Sequence, residues 1–445
     1  MKHIKTLSII STAVLLIASV SFLVWKFVPN PVPVEEVFPG RIWAKPVTQL
    51  PDLQGVGAPR AENCGKCHAE IYQEWKTSTH SHALSDLQFQ AELSKPSSPQ
   101  WICLNCHIPV QNQREKIVVA LNHGKYEEPV EVPNPGFDPK MKEEAVTCAT
   151  CHVRVDEQGK SYVIGANGNT SPPHPVKINA SLLRNRCYDC HNETYELNSS
   201  LVCSFQTGTE LKEAASHFAD KDCVSCHLPT VKRSFVIAEL GKSKKDSHKH
   251  SFIGGGVPKK FELYQHQIPG GYSPGIVLES WEKKDSDSIL VKVKNQNAGH
   301  YLPSGDPERH LKLELIWLDD SRKAISKDEI RIGQEWEWSP KARKTSDNRL
   351  RPKEIREWRK EIPEGKVKSA ILRVYHIRLK NVVSDYVEKY ATGAPEQYQV
   401  KIKELKKHYP HSSLVLESEF DLNTKKVKNT SLKDLFEINE KRRGE

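Results

Sequence analysis

Methionine is nearly missing from this chain: there are two in 445 residues, and one of them is Met1. Aliphatic bulk is thin as well. Hydrophobic residues make up 37% of the sequence, less than a packed interior of this size ordinarily draws from side chains, so another apolar material is expected to fill part of the core. No cysteine follows Cys226, and none stands directly at the end of the single long apolar run near the N-terminus, which excludes a lipoprotein anchor. Charge of one sign is not extreme either. The formal net charge of +9 could serve nucleic acid, a membrane surface or acidic partners, and would equally offset acidic groups on a bound cofactor.

What is present begins with the compartment. Lys2, His3 and Lys5 precede an uncharged, mostly apolar run from Thr6 to Trp25, long enough as a helix to cross a bilayer. The basic flank keeps the N-terminus in the cytoplasm. Residues 1–28 are therefore expected to be an uncleaved inner-membrane anchor, with a cleaved signal segment as the alternative. Either way residues 30–445 lie in the periplasm or otherwise outside the cytoplasm, where nucleic acid is not an expected partner. Pro29, Pro31 and Pro33 predict a stiff Pro-rich linker over 29–60.

Ten of the 11 cysteines form five Cys-x-x-Cys pairs, each followed at once by histidine: Cys64/Cys67/His68, Cys103/Cys106/His107, Cys148/Cys151/His152, Cys187/Cys190/His191 and Cys223/Cys226/His227. Two thiols at this spacing reach the two vinyl groups of one haem, and the adjacent histidine is held under the iron. Zinc sites and redox dithiols also use Cys-x-x-Cys, but neither accounts for five adjacent histidines. Five covalent haem c groups are expected. The motifs stand 39, 45, 39 and 36 residues apart, too little chain to wrap each haem separately, so the haems must pack against one another and supply the missing apolar core.

Each iron needs a second axial group or keeps an open position. With only Met141 left, histidine must supply most of them, which points to bis-His haems of low potential. The expected distal set is His80, His174, His217, His250 and His300, with His123 and His266 in reserve. His80 lies in Trp75-Lys-Thr-Ser78-Thr-His80-Ser-His82, His174 in a rigid Pro172-Pro173-His174-Pro175 loop, and His217 six residues before Cys223. His250 follows His248 and precedes Gly254-Gly255-Gly256. His300 sits in the turn-rich Asn297-Ala-Gly299-His300-Tyr-Leu-Pro303. The eleventh cysteine, Cys203, is expected to be a buried small hydrophobe.

These residues resemble the cytochrome c-554/c-prime family. The likeness is carried by the segment Cys64–Ala83 with Trp75, Ser78 and His80, by Val146-Thr147-Cys148 with Cys151-His152-Val153-Arg154, and by the Pro-Pro-His-Pro loop. Cys226-His227-Leu228-Pro229, His250-Ser-Phe252 and Asn297-Ala-Gly-His300 carry it further, over roughly residues 60–310. The resemblance implies periplasmic electron transfer, mostly bis-His ligation and close haem stacking, in a family that also includes enzymes acting on small nitrogen or sulfur compounds.

Beyond residue 262 the pattern changes. Ile289, Val291 and Val293, then Leu311, Leu313, Leu315 and Trp317, then Leu372 and Val374, and Leu414, Leu416 and Phe420 alternate with period two, which predicts half-buried strands. Residues 384–407 read as a helical insertion broken near Gly393 and Pro395. The expected fold is thus α+β multidomain: a mostly irregular or α-helical pentahaem domain over 61–261, then an antiparallel β-sandwich-like domain over 262–445. Residues 341–360 hold nine Lys/Arg against three Asp/Glu; this is a solvated face or a docking patch for an acidic redox partner protein. The expected function is electron transfer between a membrane donor and a periplasmic or outer-surface acceptor. An oxidoreductase with one open haem acting on a small substrate, and a subunit of a larger cytochrome complex, are the alternatives.

Overall fold

The computed structural model describes residues 28–442 apart from 97, 167–170, 197–201, 242, 255–273 and 339–340, with backbone alone at 194–196, 202–204, 215 and 381. The membrane run 6–25 lies outside the described residues. Among the described residues no helix is long and apolar enough to cross a membrane.

The half that carries the motifs is built from short helices, joined by small sheets that the sequence reading missed. β1 (Pro31–Pro33), β2 (Lys116–Asn122) and β3 (Pro129–Pro133) form one antiparallel sheet. β4 (Val153–Val155), β5 (Ser161–Gly165) and β6 (Val176–Ile178) form another, in which β5 and β6 run parallel. β7 (Thr194–Glu196) pairs with β8 (Val202–Ser204), whose middle residue is Cys203, and β9 (Thr230–Arg233) pairs with β10 (Lys245–His248). All of these strands but the seven-residue β2 run three to five residues, which shows too few side chains for a period to be read.

The stretch expected as a linker over 29–60 is instead part of this half. Prolines 31 and 33 sit on an edge strand, where a missing N–H is tolerated. Downstream, Trp43, Ala44, Leu50 and Leu53 are buried. Trp43 packs with Trp101, Ile102, Leu121 and Tyr126, and Leu50 packs with Val110, Met141, Ala149 and Val153. The proline count drew attention away from these isolated apolar residues. Met141 is thereby accounted for as core.

The second half consists of two sheets sharing one core. β11 (Ile276–Lys283), β12 (Ser288–Asn295) and, later in the chain, β16 form the first. β13 (His310–Leu318), β14 (Ala324–Glu337), β15 (Arg343–Asp347), β17 (Ser369–Ile377), β18 (Ser412–Asp421) and β19 (Val427–Asn429) form the second, six-stranded in the order 15-14-13-17-18-19, and β16 spans Ile355–Glu361. The alternating residues put Ile289, Val291 and Val293 from one sheet against Leu311, Leu313, Leu315, Trp317, Leu372 and Val374 from the other. Trp281 stacks on Phe420 across the gap at 5.5 Å and 5°, and donates its indole N–H to Ser418 Oγ at 2.9 Å.

Between β17 and β18 the chain leaves the sheet as helices Asn381–Glu388, Glu396–Lys403 and Leu405–His408. Their apolar faces, from Val387, Ala391, Ile402 and Leu405, close on Ala91 and Leu87 of the helix Leu87–Leu93 in the first half. Gly393 is required at this contact: a Cβ there would stand 2.8 Å from the Ser94 carbonyl oxygen. The insertion thus clamps the β half onto the motif half.

Candidate haem sites

Four of the five motifs have both cysteines and the histidine on one short helix or its immediate flank: Gln100–His107, Cys148–His152, Tyr188–His191 and Cys223–His227. Cys64 lies in Ala61–Gly65, and Cys67 and His68 join it to the helix Ala69–Lys76. Helical spacing puts residues three apart on one side, which aims both thiols of a motif at one face. Caps fix several starts: Asp222 accepts the Ser225 N–H at 2.7 Å, and Glu144 accepts the Ala61 N–H at 2.7 Å.

The histidines are held by their inner nitrogens. His68 Nδ1 bonds the Phe235 carbonyl at 2.6 Å, His107 the Ala83 carbonyl at 2.7 Å, His152 the Ile164 carbonyl at 3.1 Å and His227 the Ile253 carbonyl at 2.5 Å. A carbonyl only accepts, so Nδ1 carries the proton and the Nε2 lone pair is left for a metal. Burial lowers the pKa of His107 and His152, and pushes His191 down to about 4, so these rings are neutral, as a ligand must be.

Three of the proposed distal histidines face motif histidines. His80 and His191 have ring centres 6.2 Å apart, His250 and His152 6.3 Å, and His300 and His227 6.4 Å, with interplanar angles of 42°, 36° and 6°. Two imidazoles bound through Nε2 on opposite sides of one metal, each about 2.0 Å from it, have centres about 6.3 Å apart. The residues therefore fit a haem iron between each pair. His250 and His300 are tethered as the motif histidines are, through Nδ1 to the carbonyls of His248 and Tyr301 at 2.8 and 2.9 Å. Burial pushes His250 down to about 4 and lowers His300.

The other two distal candidates differ. His174 is lowered first by burial and then by the charge of His68, which places it beside the first motif, and its Nδ1 is buried without a hydrogen-bond partner. Gly55, at φ +77°, lets Pro173 come so close that any Cβ would collide with its carbonyl. His217 is exposed at the end of the short helix Ala215–Phe218. It lines a surface cavity with Arg349, Arg351 and Lys353, and nothing in its local sequence distinguishes it from a ligand. What lies against His107 is the ring of Phe89, parallel at 3.4 Å. His82 bonds Ser78 O through Nδ1 at 2.9 Å, His123 is half-buried beside the β2–β3 turn, and His266 lies outside the described residues.

Contacts between motifs order the sites in space. The thiols of Cys64 and Cys148, of Cys106 and Cys190, and of Cys187 and Cys223 hydrogen-bond in pairs. These sulfurs would be thioethers once haem is attached, so the motifs would bring their haems together in pairs: first with third, second with fourth, fourth with fifth. Phe252 closes the gap between third and fourth. Its ring lies 4.3 Å from His80 and 6.0 Å from His250, and its φ of 48° is a left-handed conformation that a bulky residue adopts only when its surroundings impose it.

One residue that supports the site escaped the sequence reading. Glu74, 7% exposed, accepts the His250 backbone N–H at 2.9 Å and bonds Arg233 and Lys249 at 2.7 Å each. Burial works to raise its pKa, but the two cations outweigh it and hold the carboxyl low. No local signal separates it from a solvated helix glutamate, because its partners lie some 160 residues away.

Residues 63–153 match the sequence model of the cytochrome c554 and c-prime family. Among solved structures, a penta-haem cytochrome c552 from Thermochromatium tepidum shares the fold, with a TM-score of 0.54 and 20% identity over 82% of this chain and 98% of that one. No curated protein matches the chain. Fold and motifs together define a multihaem c-type cytochrome with covalently bound haem c. The segment similar to the cytochrome c554 and c-prime family, residues 63–153, carries the first three of the five motifs.

Proposed function

We propose that this chain is an extracytoplasmic pentahaem electron carrier, anchored to the inner membrane by residues 6–25 and passing electrons between a membrane donor and a periplasmic or outer-surface acceptor. The observation that carries the reading is the set of three histidine pairs with ring centres 6.2–6.4 Å apart. Haem c supplies the one-electron iron couple. The protein's part would be to offer imidazoles on both sides of the metal at four of the sites, which would keep substrates from those metals and hold their potentials low. His68/His174, His191/His80, His152/His250 and His227/His300 are the proposed ligand pairs. Sulfur contacts and Phe252 support a continuous route from the first site through the third and fourth to the fifth, with the second branching from the fourth.

A second reading has its own observation. The ring on His107 is that of Phe89, and His217 stands elsewhere, which favours an open axial position at the Cys103/Cys106 haem and a reaction with a small nitrogen or sulfur compound there. Electron paramagnetic resonance of the ferric protein, with haem counted per chain, separates the two. Five haems, all low-spin and indifferent to nitrite or hydroxylamine, support the carrier. A high-spin signal that shifts with either compound, and is unchanged in His217→Ala, supports the second reading.

A further inference from the structure

The basic run 341–360 is largely neutralised within the fold. Arg343 pairs with Glu337 at 2.6 Å, Lys344 with Asp347 at 3.2 Å, and Arg356 with Glu354 at 2.8 Å. Arg359 pairs with Asp285 at 2.8 Å and Lys360 with Asp328 at 2.5 Å. Arg349, 4% exposed at its side chain, bridges Glu210 at 2.6 Å and Asp347 at 2.8 Å. Two cations of the run that lie close together, Arg351 and Lys353, have no carboxylate partner among the described residues. Arg351 stands 5.9 Å from the centre of the Tyr301 ring, and Lys353 5.0 Å from that of Phe218. Both line a cavity of about 660 Å³, with His217, Arg349 and Arg356 beside them. The carboxylates nearby are already engaged: Glu210, Asp347 and Glu354 in the pairs above, and Glu213 with the Tyr301 hydroxyl at 2.7 Å.

This cavity adjoins one particular haem site. Tyr301 follows His300, whose ring faces His227, and its own ring lies 5.0 Å from the Arg349 guanidinium. The short helix bearing His217 and Phe218 touches the same loop, since a Cβ on Gly299 would meet Leu211 and Phe218. Of the ten motif cysteines, Cys226 of this site is the exposed one; the other nine are half-buried. The fifth site is also the end of the proposed route. Two cations without carboxylate partners therefore stand beside the site whose cysteine is exposed.

We propose that this cavity, with Arg351, Lys353 and His217 on its rim, is the docking face for an acidic electron-transfer protein that exchanges electrons with the haem held by Cys223, Cys226 and His227. The proposal rests on the electron-carrier reading. One electron passes per encounter: the reduced partner is oxidised as the ferric iron is reduced, and no bond or proton is exchanged. A protein fits better than a small anion because Arg351 is exposed on an open rim, and Lys353, whose ammonium donates to the Gln296 carbonyl at 2.5 Å, has no carboxylate to neutralise it.

The test mixes oxidised holoprotein rapidly with a reduced, acidic plant-type ferredoxin as the probe, at ionic strengths of about 0.01 and 1 M, between which the Debye length falls from about 30 to 3 Å. The wild-type rate is expected to fall at high salt. The double variant Arg351→Glu/Lys353→Glu is expected to react at least tenfold more slowly at low salt and to lose most of the salt slope. The control Lys125→Glu, on the β2–β3 turn, is expected to keep both. Equal loss in the control, or wild-type behaviour of the double variant, overturns the docking face, and so does inhibition by inorganic phosphate at constant ionic strength, which assigns the cavity to a small anion. Failure of dithionite to reduce the wild-type haems would instead sink the carrier reading.

Discussion

Removing the Glu74 carboxylate tests the link between packing and ligation. In Glu74→Ala the guanidinium of Arg233 and the ammonium of Lys249, with side chains 5% and 14% exposed, lose their common carboxylate and keep as ion partner only the 60%-exposed Glu70, at 3.3 and 3.8 Å. Breaking a buried pair by deleting one member costs about 3–5 kcal/mol, because the surviving charge stays desolvated. At roughly 2–4 °C per kcal/mol for a domain of this size, the melting transition of the haem half falls by about 6 °C or more. The His250 N–H loses its acceptor as well, so the ring facing His152 is released and a high-spin fraction grows at the third haem. Glu74→Gln separates the two effects. Its amide oxygen can still accept from His250, so the melting point falls while the low-spin spectrum persists. The pH sign follows from the depressed carboxyl: its contribution is complete above the unfolded value near 4.5 and is lost as pH falls through the lower folded value. A Glu74→Ala protein that melts within a degree of wild type at pH 7, with an unchanged spectrum, would refute the reasoning.

Other consequences are open to direct measurement. His300→Ala and His250→Ala should each convert one haem to a high-spin form visible by paramagnetic resonance, at the fifth and third sites respectively, whereas His217→Ala should leave the haem spectrum as it is. Trp281→Ala, which removes the indole stacked on Phe420, should cost about 3–5 kcal/mol, lowering calorimetric stability of the β half while leaving haem attachment intact. Burial pushes the Glu308 carboxyl up to about 7, with Asp306 adding to it. The folded chain then holds a proton that the unfolded chain releases, so stability falls as pH rises from about 4.5 to 7, by up to about 3 kcal/mol. Glu308→Gln should flatten that part of the melting-temperature profile; a profile as steep as wild type would contradict it.

The parts legible in sequence were those written in short-range patterns. Five Cys-x-x-Cys-His motifs announce themselves because the chemistry needs three residues within five positions. The strands of the second half show because Leu311, Leu313, Leu315 and Trp317 repeat every second residue on a buried face. Distal histidines carry no such pattern. His80, His250 and His300 stand out only as histidines near turns, and His217 looks the same while facing a surface cavity. Glu74 and Phe252 are illegible for a related reason: what makes them matter is a partner brought from far along the chain. The packing of Trp43, Leu50 and Leu53 was hidden by the prolines around them, which signal a stiff backbone but not whether it is exposed.

The distance between facing histidines also bears on how the halves are joined. His191 and His80, His152 and His250, and His227 and His300 close long loops of the chain. Closure entropy grows only as about (3/2)RT times the logarithm of loop length, so each doubling of the loop costs only about 0.6 kcal/mol more. Such long reach is therefore inexpensive, and it makes the iron a cross-link. The fifth motif would attach its haem in the first half, but the ring facing His227 comes from the loop after β12, and Glu210 of the first half accepts from the Tyr301 N–H of that loop at 3.2 Å and pairs with Arg349 at 2.6 Å. If His300 is the proposed second ligand there, detaching the β half strips a ligand from the haem held by Cys223 and Cys226. A chain ending near residue 261 should thus retain five haems yet show one more high-spin iron than the full protein, at the site where the docking face would lie.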